Sequence, residues 1–391
     1  MEPQKHQKHA ALARPDLGEF GRHELGILGA PCGVIKDLAA RLLPLLPPAL
    51  RVAYVDADHA AGDEAEAGGS GGADAILQAG AAAELTDKIS FRRLDLRRGM
   101  DKFVQPQWLN ELSLVLVNGN HFRARPQVVI VDPRKPLDKK LDRLTDVQLV
   151  LLSEGQTELP AVLRAHLPDA ARVPVLPLAD TAAIAAWLQQ WYQRHRPPLR
   201  GLVLTGGRSQ RMHEDKSRLR YHQQEQRAHA AALLAPFCQD VFVSCRPEQA
   251  AELPAGLPAL PDQFLDLGPL SGILSAFRHD PNAAWLVVAC DLPFLSAQTL
   301  QHLVAHRQPG RVATAFRSPD NEFPEPLITI WEPRSYPVLL QFLGLGYSCP
   351  RKALINSDIE LLAAPVPQEL RNVNTPAERD AARQELGTVG G

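Results

Sequence analysis

Residues 199–226 read LRGLVLTGGRSQRMHEDKSRLRYHQQEQ, and the rest of the chain is organised around them. A short apolar strand, Gly201 to Leu204, runs into a turn built on Gly206 and Gly207. Arg208, Ser209, Arg211 and Met212 follow, and Asp215 and Lys216 close the pattern before a polar helical stretch. Glycine lets backbone N–H groups approach a ligand closely, and a helix start adds partial positive charge, so this order of elements suits phosphate. Paired glycines alone mark ordinary turns. Here the whole series L-x-G-G-x-S-x-R-M-x-x-D-K is present, and its cations converge on whatever anion the loop takes.

Outward from this stretch, 391 residues favour two or three domains with ample core. A formal net charge of -2 offers no bulk attraction to nucleic acid or to an anionic membrane surface. Cys32, Cys238, Cys245, Cys290 and Cys349 are odd in number and scattered, without C-x-x-C spacing. They read as reduced thiols of a cytoplasmic protein, not as a disulfide frame or zinc site. The opening MEPQKHQKHAALARPDLGEF lacks the apolar core of a signal peptide, and no apolar run reaches membrane-span length. The expectation is a soluble cytoplasmic protein with no membrane partner.

Before residue 199 the pattern is strand, loop, helix, strand. After a flexible lead-in over residues 1–20 come a strand at Glu24–Leu28, a helix through Leu38, Leu42 and Leu46 that ends at Pro47 and Pro48, and a strand at Arg51–Val55. Further strands are expected at Leu114–Val117, Val128–Val131 and Val147–Leu152, and a helix over Thr181 to about Gln193. Such alternation favours a parallel sheet. Gly62–Gly72 is a low-complexity loop. Asp56, Asp58 and His59 follow the second strand; a metal is one reading, and a solvated strand-end loop is the favoured one. The charged, proline-rich Arg194–Pro198 marks a domain boundary, giving domains at 1–198 and 199–391.

Beyond the glycine motif, alternation resumes: a helix to about Leu234, a strand at Asp240–Ser244, Asp262 before the loop LGPLSGI, and a helix through Phe277. The unbroken apolar run Trp285–Cys290 suits a strand buried on both faces of a parallel sheet, and Asp291-Leu-Pro-Phe-Leu ends it. A helix over Ala297–His306, strands at Val312–Phe316 and Pro326–Trp331, and a helix between Tyr336 and Leu343 precede Asn372-Val-Asn-Thr-Pro and a short closing helix. The expected fold is α/β in two domains, a P-loop-like parallel sheet and then a doubly wound, Rossmann-like sheet. In the second kind of sheet ligands sit beyond the carboxyl ends of the strands, where the glycine turn and Asp291 both fall.

LTGGRSQRMHEDK, PDQFLDLGPLSGI, ACDLPFL, EPLITIW and NVNTPAE occur in the order found in the MobA family, and residues 199–386 resemble those molybdenum cofactor guanylyltransferases. The resemblance implies Mg2+-dependent transfer of GMP from GTP to molybdopterin, with pyrophosphate released. It places Leu204, Thr205, Gly206, Gly207, Lys216, Asp262 and Asp291 at the nucleotide, Asp291 at the magnesium, and Asn372 and Asn374 at the molybdopterin. Arg211 and Lys216 become the catalytic cations. Nucleotidyl transfer needs positioning and charge neutralisation with little covalent work, which suits these residue types. Thr205 stands where the family usually has alanine, and His213 where it usually has glycine. CTP as substrate, another phosphate acceptor, or a non-catalytic molybdopterin carrier are the alternatives.

Some residues of this half carry two readings. Asp215 reads as a helix-start residue or a partner fixing Lys216 or Arg211, in preference to a catalyst. Gly268 and Gly272 serve either packing or ligand contact, and Arg351 and Lys352 either solvent or a pterin phosphate.

ILGAPCGVIKDLAARLL, VDADH, LQAGAAAELTDKI and SLVLVNGNHF resemble the MobB family, whose members are P-loop GTP-binding accessory proteins. With Gly29 as the first glycine of G-x-x-x-x-G-K-[ST], the last three positions fall on Val34, Ile35 and Lys36. The lysine and the magnesium-binding hydroxyl are gone, and Asn118 replaces that family's carboxylate. The first half therefore reads as a degenerate P-loop domain kept for docking to molybdoenzymes or cofactor-assembly proteins.

Overall fold

The structure, a computed structural model, describes residues 22–48, 50–56, 83–87, 92–96, 107, 109–138, 141–167, 169–205 and 216–389. The expected lead-in over 1–20, the Gly62–Gly72 loop, Asp58 and His59 lie outside them, as do Gly206, Gly207, Arg208, Ser209, Arg211, Met212, His213 and Asp215. The chain divides into two compact units, Arg22–Tyr192 and the residues from Gln193 onward.

The first unit contains β1 (His23–Leu28), α1 (Cys32–Leu42), β2 (Val52–Val55), an antiparallel ribbon of β3 (Ala83–Asp87) and β4 (Arg92–Leu96), β5 (Leu114–Asn118), β6 (Gln127–Val131), β7 (Val147–Leu152), α2 (Ala161–His166), β8 (Val175–Pro177) and α3 (Thr181–Arg194). Its main sheet runs β2-β5-β1-β6-β7-β8, and every pair is parallel. The apolar runs at β5 and β6 are buried along their whole length, as central strands covered on both faces must be. On one face Ile35 and Leu38 of α1 and Ile184, Leu188 and Trp191 of α3 pack over Leu25, Ile27, Leu116 and Ile130. On the other, Leu163 and Leu167 cover Leu28, Val129 and Val150.

Gly29 makes the β1–α1 connection possible. Its φ is +95°, and a Cβ there would lie 2.2 Å from the Ile130 carbonyl oxygen. The turn is only three residues long, because α1 already begins at Cys32. Val34, Ile35 and Lys36 therefore lie within the helix: Ile35 is fully buried in the core and Lys36 is exposed. The helix has already begun at Cys32 and Gly33, inside the stretch that would form the phosphate loop.

The second unit contains β9 (Leu199–Leu204), α4 (Gln226–Leu234), β10 (Val241–Cys245), β11 (Ala259–Pro261), α5 (Pro269–His279), β12 (Ala284–Ala289), α6 (Ala297–Ala305), β13 (Ala313–Arg317), β14 (Pro324–Trp331), α7 (Ser335–Gly344), α8 (Pro350–Ile355), β15 (Ile359–Leu362) and α9 (Pro376–Val389). The sheet order is β11-β10-β9-β12-β14-β13-β15. Helices cover both faces: α4 and α6 pack on one through Ala230, Leu234, Leu300 and Leu303, and α5, α7 and α8 on the other through Ile273, Phe277, Leu339 and Leu354. This is the doubly wound arrangement, with its switch of direction between β9 and β12.

Two features correct the sequence reading. β12 is parallel to β9 but antiparallel to β14, so the sheet is mixed; an apolar run reports burial on both faces and carries no direction. The short elements β8, β11, β15, α2 and α8 and the β3–β4 ribbon are additional to the expected set. Within the second unit, Arg307 pairs with the fully buried Glu332 at 2.7 Å and donates to the Pro197 carbonyl at 3.0 Å, which ties the proline-rich segment to that unit.

Gly29→Ala is expected to lower stability by about 3 kcal/mol, from a left-handed position and a backbone clash. Gly33→Ala, in the first turn of α1 with nothing within 4 Å of the added Cβ, should be neutral or stabilising by up to about 1 kcal/mol. Urea unfolding of the two variants side by side checks both values.

Candidate functional site

In the second unit β11, β10, β9 and β12 are parallel neighbours, so their carboxyl ends share one edge. Leu204 closes β9 and pairs in register with Ala289 of β12, and the Cys290 amide donates to the Leu204 carbonyl at 3.1 Å. Asp291 is thus one strand away from the carboxyl end of β9, after which Gly206 and Gly207 follow in the sequence. On the other side, Leu204 pairs with Ser244 of β10. The Thr205 amide and hydroxyl both donate to the Ser244 carbonyl, at 3.2 and 2.5 Å. One strand further, the Asp262 amide donates to the Cys245 carbonyl at 2.8 Å. Asp262, Ser244, Thr205 and Asp291 therefore line one edge in that order.

Asp262 does not stand alone. The Ser244 hydroxyl donates to its Oδ1 at 2.7 Å. Burial pushes the carboxyl up to about 6, and the serine hydrogen bond opposes that rise. Gly272, in the first turns of α5, lies directly against this pair. A Cβ there would sit 2.3 Å from Ser244 Oγ and 2.6 Å from Leu204. Gly272 therefore permits the close approach of helix to sheet, and in doing so leaves room for the hydroxyl that holds Asp262. Gly268, just before α5, takes φ +60° with open space at its Cβ position, so its role is the turn itself.

Three segments grip the loop after β12. His222 Nε2 contacts the Pro293 carbonyl at 2.7 Å, which assigns the Nε2–H tautomer, and Gln226 Nε2 donates to the Leu292 carbonyl at 3.4 Å. His222 stacks on His229 with 3.8 Å between ring centres. Burial, with His222 as the second cause, lowers His229 to about 4 and keeps it neutral near pH 7. From the far end of the chain, the Val373 amide donates to the Asp291 carbonyl at 2.9 Å, and the Arg371 guanidinium lies 4.1 Å over the Phe294 ring. Asn372 and Asn374 flank Val373 and so lie beside the Asp291 loop, Asn372 exposed and Asn374 half-buried. Glu378 accepts from the Asn374 and Thr375 amides at 2.7 and 3.0 Å, fixing this segment at the start of α9.

The structure places Leu204, Thr205, Asp262, Asp291, Asn372 and Asn374 around this edge. Gly206, Gly207 and Arg211 are outside the described residues; the backbone of Lys216 opens a three-residue 3-10 turn, and its side chain is not described. The helical stretch expected just after Lys216 is not there. Arg220 bridges Glu225, Gln223 takes φ +61°, and α4 begins only at Gln226. That left-handed turn reverses the chain before an α-helix can propagate, so Lys216 gains no helix start. Arg351 donates to Glu325 at 3.2 Å, while Lys352 is exposed. Ser244, His222 and Gln226 carry no motif. A polar residue closing an otherwise apolar strand, as in VFVS, was the one available signal for Ser244.

Among the described residues no group of three His, Cys, Asp or Glu side chains is arranged to hold a metal ion. Asp291 and Asp262 nevertheless offer hard oxygen donors on one edge. That chemistry fits a magnesium ion taking one or two carboxylates and completing its shell with phosphate and water. No helix among the described residues is long and apolar enough to cross a membrane.

This edge is where doubly wound sheets take their ligands, and residues 201–358 match the MobA-like NTP transferase domain family. A molybdenum cofactor guanylyltransferase of Pseudomonas putida is 30% identical over 183 residues, covering 46% of this chain and 95% of that protein. The chain belongs to this family. A molybdenum cofactor biosynthesis bifunctional protein of Synechocystis sp. is 36% identical over 182 residues, 46% of this chain; the match spans about half of that relative, 52% of its length. The crystal structure of a molybdopterin-guanine biosynthesis protein B (mobB) is similar at 17% identity and a TM-score of 0.30, over 44% of this chain and 99% of that one.

The raised Asp262 value has a consequence for stability. Its carboxyl titrates near its ordinary 3.8 when unfolded and at about 6 when folded. The folded state therefore holds the proton more tightly, and stability falls as pH rises through that window. Asp262→Asn is expected to raise the melting temperature above pH 6 and to lose that advantage below pH 4. Thermal melts of the two proteins across this range check it.

Proposed function

We propose that this chain transfers GMP from GTP to the terminal phosphate of molybdopterin and releases pyrophosphate. The observation that carries this reading is the shared edge. The strand that precedes Gly206 and Gly207 in the sequence is paired in register with β12, whose following loop carries Asp291, and the Val373 amide between Asn372 and Asn374 is hydrogen-bonded to that loop. A triphosphate and a pterin phosphate can therefore be gathered at one place.

In this reading the amides of Gly206 and Gly207 cradle the phosphates, and Thr205 anchors the foot of the turn through its hydroxyl. Arg211 and Lys216 neutralise charge as it builds on the α-phosphate and on the departing pyrophosphate. Asp262, held by Ser244, accepts from N–H groups of the guanine edge. Asn372 and Asn374 present amide donors and acceptors to the pterin. Asp291 would hold a magnesium ion, whose positive charge would lower the repulsion between the reacting phosphates. The chain's own residues supply orientation: the His222, Gln226 and Val373 contacts fix the loop from which the Asp291 carboxylate projects.

The functional division at 1–198 and 199–391 belongs to the same proposal. The first half is a degenerate P-loop domain with a docking role toward molybdoenzymes or cofactor-assembly proteins, supported by the buried Ile35 and the helix that starts where a phosphate loop would open. The setting is the cytoplasm, without nucleic acid or membrane as partner.

Asp291→Ala and Lys216→Ala are each expected to lower the rate about a hundredfold, the size of losing one preorganised electrostatic group. The measurement is the mass of the pterin product after incubation with molybdopterin, magnesium and each nucleoside triphosphate in turn. A cytidine product made in preference to a guanine product rejects guanylyl transfer, and undiminished turnover in either variant rejects the roles given to these residues.

A further inference from the structure

The first unit holds a second cluster of reactive side chains that guanylyl transfer does not use. It lies at the carboxyl edge of the first sheet, at the turn after β1. Cys32 opens the eleven-residue helix α1, and its Sγ lies 3.2 Å from His121 Nε2. Asn120 Nδ2 is 3.7 Å from the same sulfur and donates to the Ala30 carbonyl at 3.0 Å, which fixes the loop after β5 against the start of α1. Asp56 Oδ1 is 3.9 Å from His121 Nε2. The Asp56 carboxylate accepts from Asn118 Nδ2 and from the Tyr54 hydroxyl, both at 2.6 Å. Burial and the Asp56 hydrogen bond hold the Tyr54 phenol above its ordinary value, so it remains a donor.

These contacts differ from those of a packed, inert thiol. Cys32 and His121 are both partly open to solvent. Burial pushes Cys238 and Cys245 up to about 12 and about 11, and Cys290 is buried. Cys349 is exposed and gives an internal reference.

We propose that Cys32 is a thiol-exchange site that takes small disulfides, with His121 as its general base. In the Nδ1–H tautomer, His121 Nε2 faces the sulfur as an acceptor. As Sγ attacks one sulfur of an incoming disulfide, its proton passes to Nε2. The new Sγ–S bond forms while the S–S bond of the reagent breaks, and the departing sulfur takes the proton back from Nε2. Asp56 lies beside the transient imidazolium, and the Asn120 amide is directed at the attacking sulfur. Thiol attack assisted by an adjacent base is the ordinary route to selective cysteine reactivity. The chemical class of ligand is a low-molecular-weight disulfide or another soft electrophile.

The test uses the full chain with oxidised glutathione, the modified positions being mapped by peptide mass spectrometry over time. Cys32 is expected to be modified before Cys349 despite its lower exposure. His121→Ala should slow modification of Cys32 about a hundredfold while leaving Cys349 unchanged. Circular dichroism and the continued silence of Cys238 and Cys245 report whether that variant is folded. Asp56→Asn, which keeps the size of the side chain, gives a second reading if it is not, and should slow Cys32 in the same direction. Modification of Cys349 ahead of Cys32, or an unchanged Cys32 rate in a folded His121 or Asp56 variant, overturns the proposal.

Discussion

Parallel pairing of β9 with β12 is the constraint on which the rest of the second unit depends. Six register pairs, from Leu199 with Ala284 to Leu204 with Ala289, bring together strands separated by some eighty residues of sequence. Because the two run the same way, both deliver their following loops to one edge. An antiparallel pairing would have sent Asp291 to the opposite end of the sheet from Leu204 and Thr205. The antiparallel β14 lies on the far side of β12, where it leaves that alignment intact and brings the Glu325 end of its own strand toward the same side.

Around this pairing the edge is held through its main-chain carbonyls, by backbone amides and by the side chains of Thr205, His222 and Gln226. Carbonyls of Leu204, Ser244, Cys245, Asp291, Leu292 and Pro293 all accept hydrogen bonds from neighbouring segments. Main-chain ties of this kind locate a loop without engaging the side chain it carries. The exception is the Ser244–Asp262 hydrogen bond, in which a side chain stabilises a carboxylate that burial disfavours. Gly272 makes the cost of that arrangement visible, since the helix can approach the two residues only where no Cβ intervenes.

Much of this was legible in the sequence. The alternation of apolar runs with helical stretches located most of the long strands and helices to within a few residues, because burial on both faces leaves an unbroken apolar signature in VQLVLL or AWLVVA. Direction was not legible: β12 and β14 have similar apolar character and run opposite ways. Short elements such as ALP at β11 and VLP at β8 carry too few residues for a periodicity. At the site, LTGGRSQRMHEDK, Asp291 and NVNT stood out as ordered motifs. The roles of Ser244, His222 and Gln226 did not, since a hydrogen bond to a neighbour's carbonyl or carboxylate leaves no pattern along the chain. The helix expected after Lys216 was lost to a turn at Gln223 that glutamine rarely makes.

The hydrogen bond from Val373 to Asp291 also sets an order of events during biosynthesis. The ribosome makes residue 373 roughly eighty residues after Asp291, a delay of about 4–16 s at ordinary elongation rates. For that interval β12 and its loop exist without the strap that fixes them. A chain that stopped before residue 373 would hold β12 and its loop without that hydrogen bond.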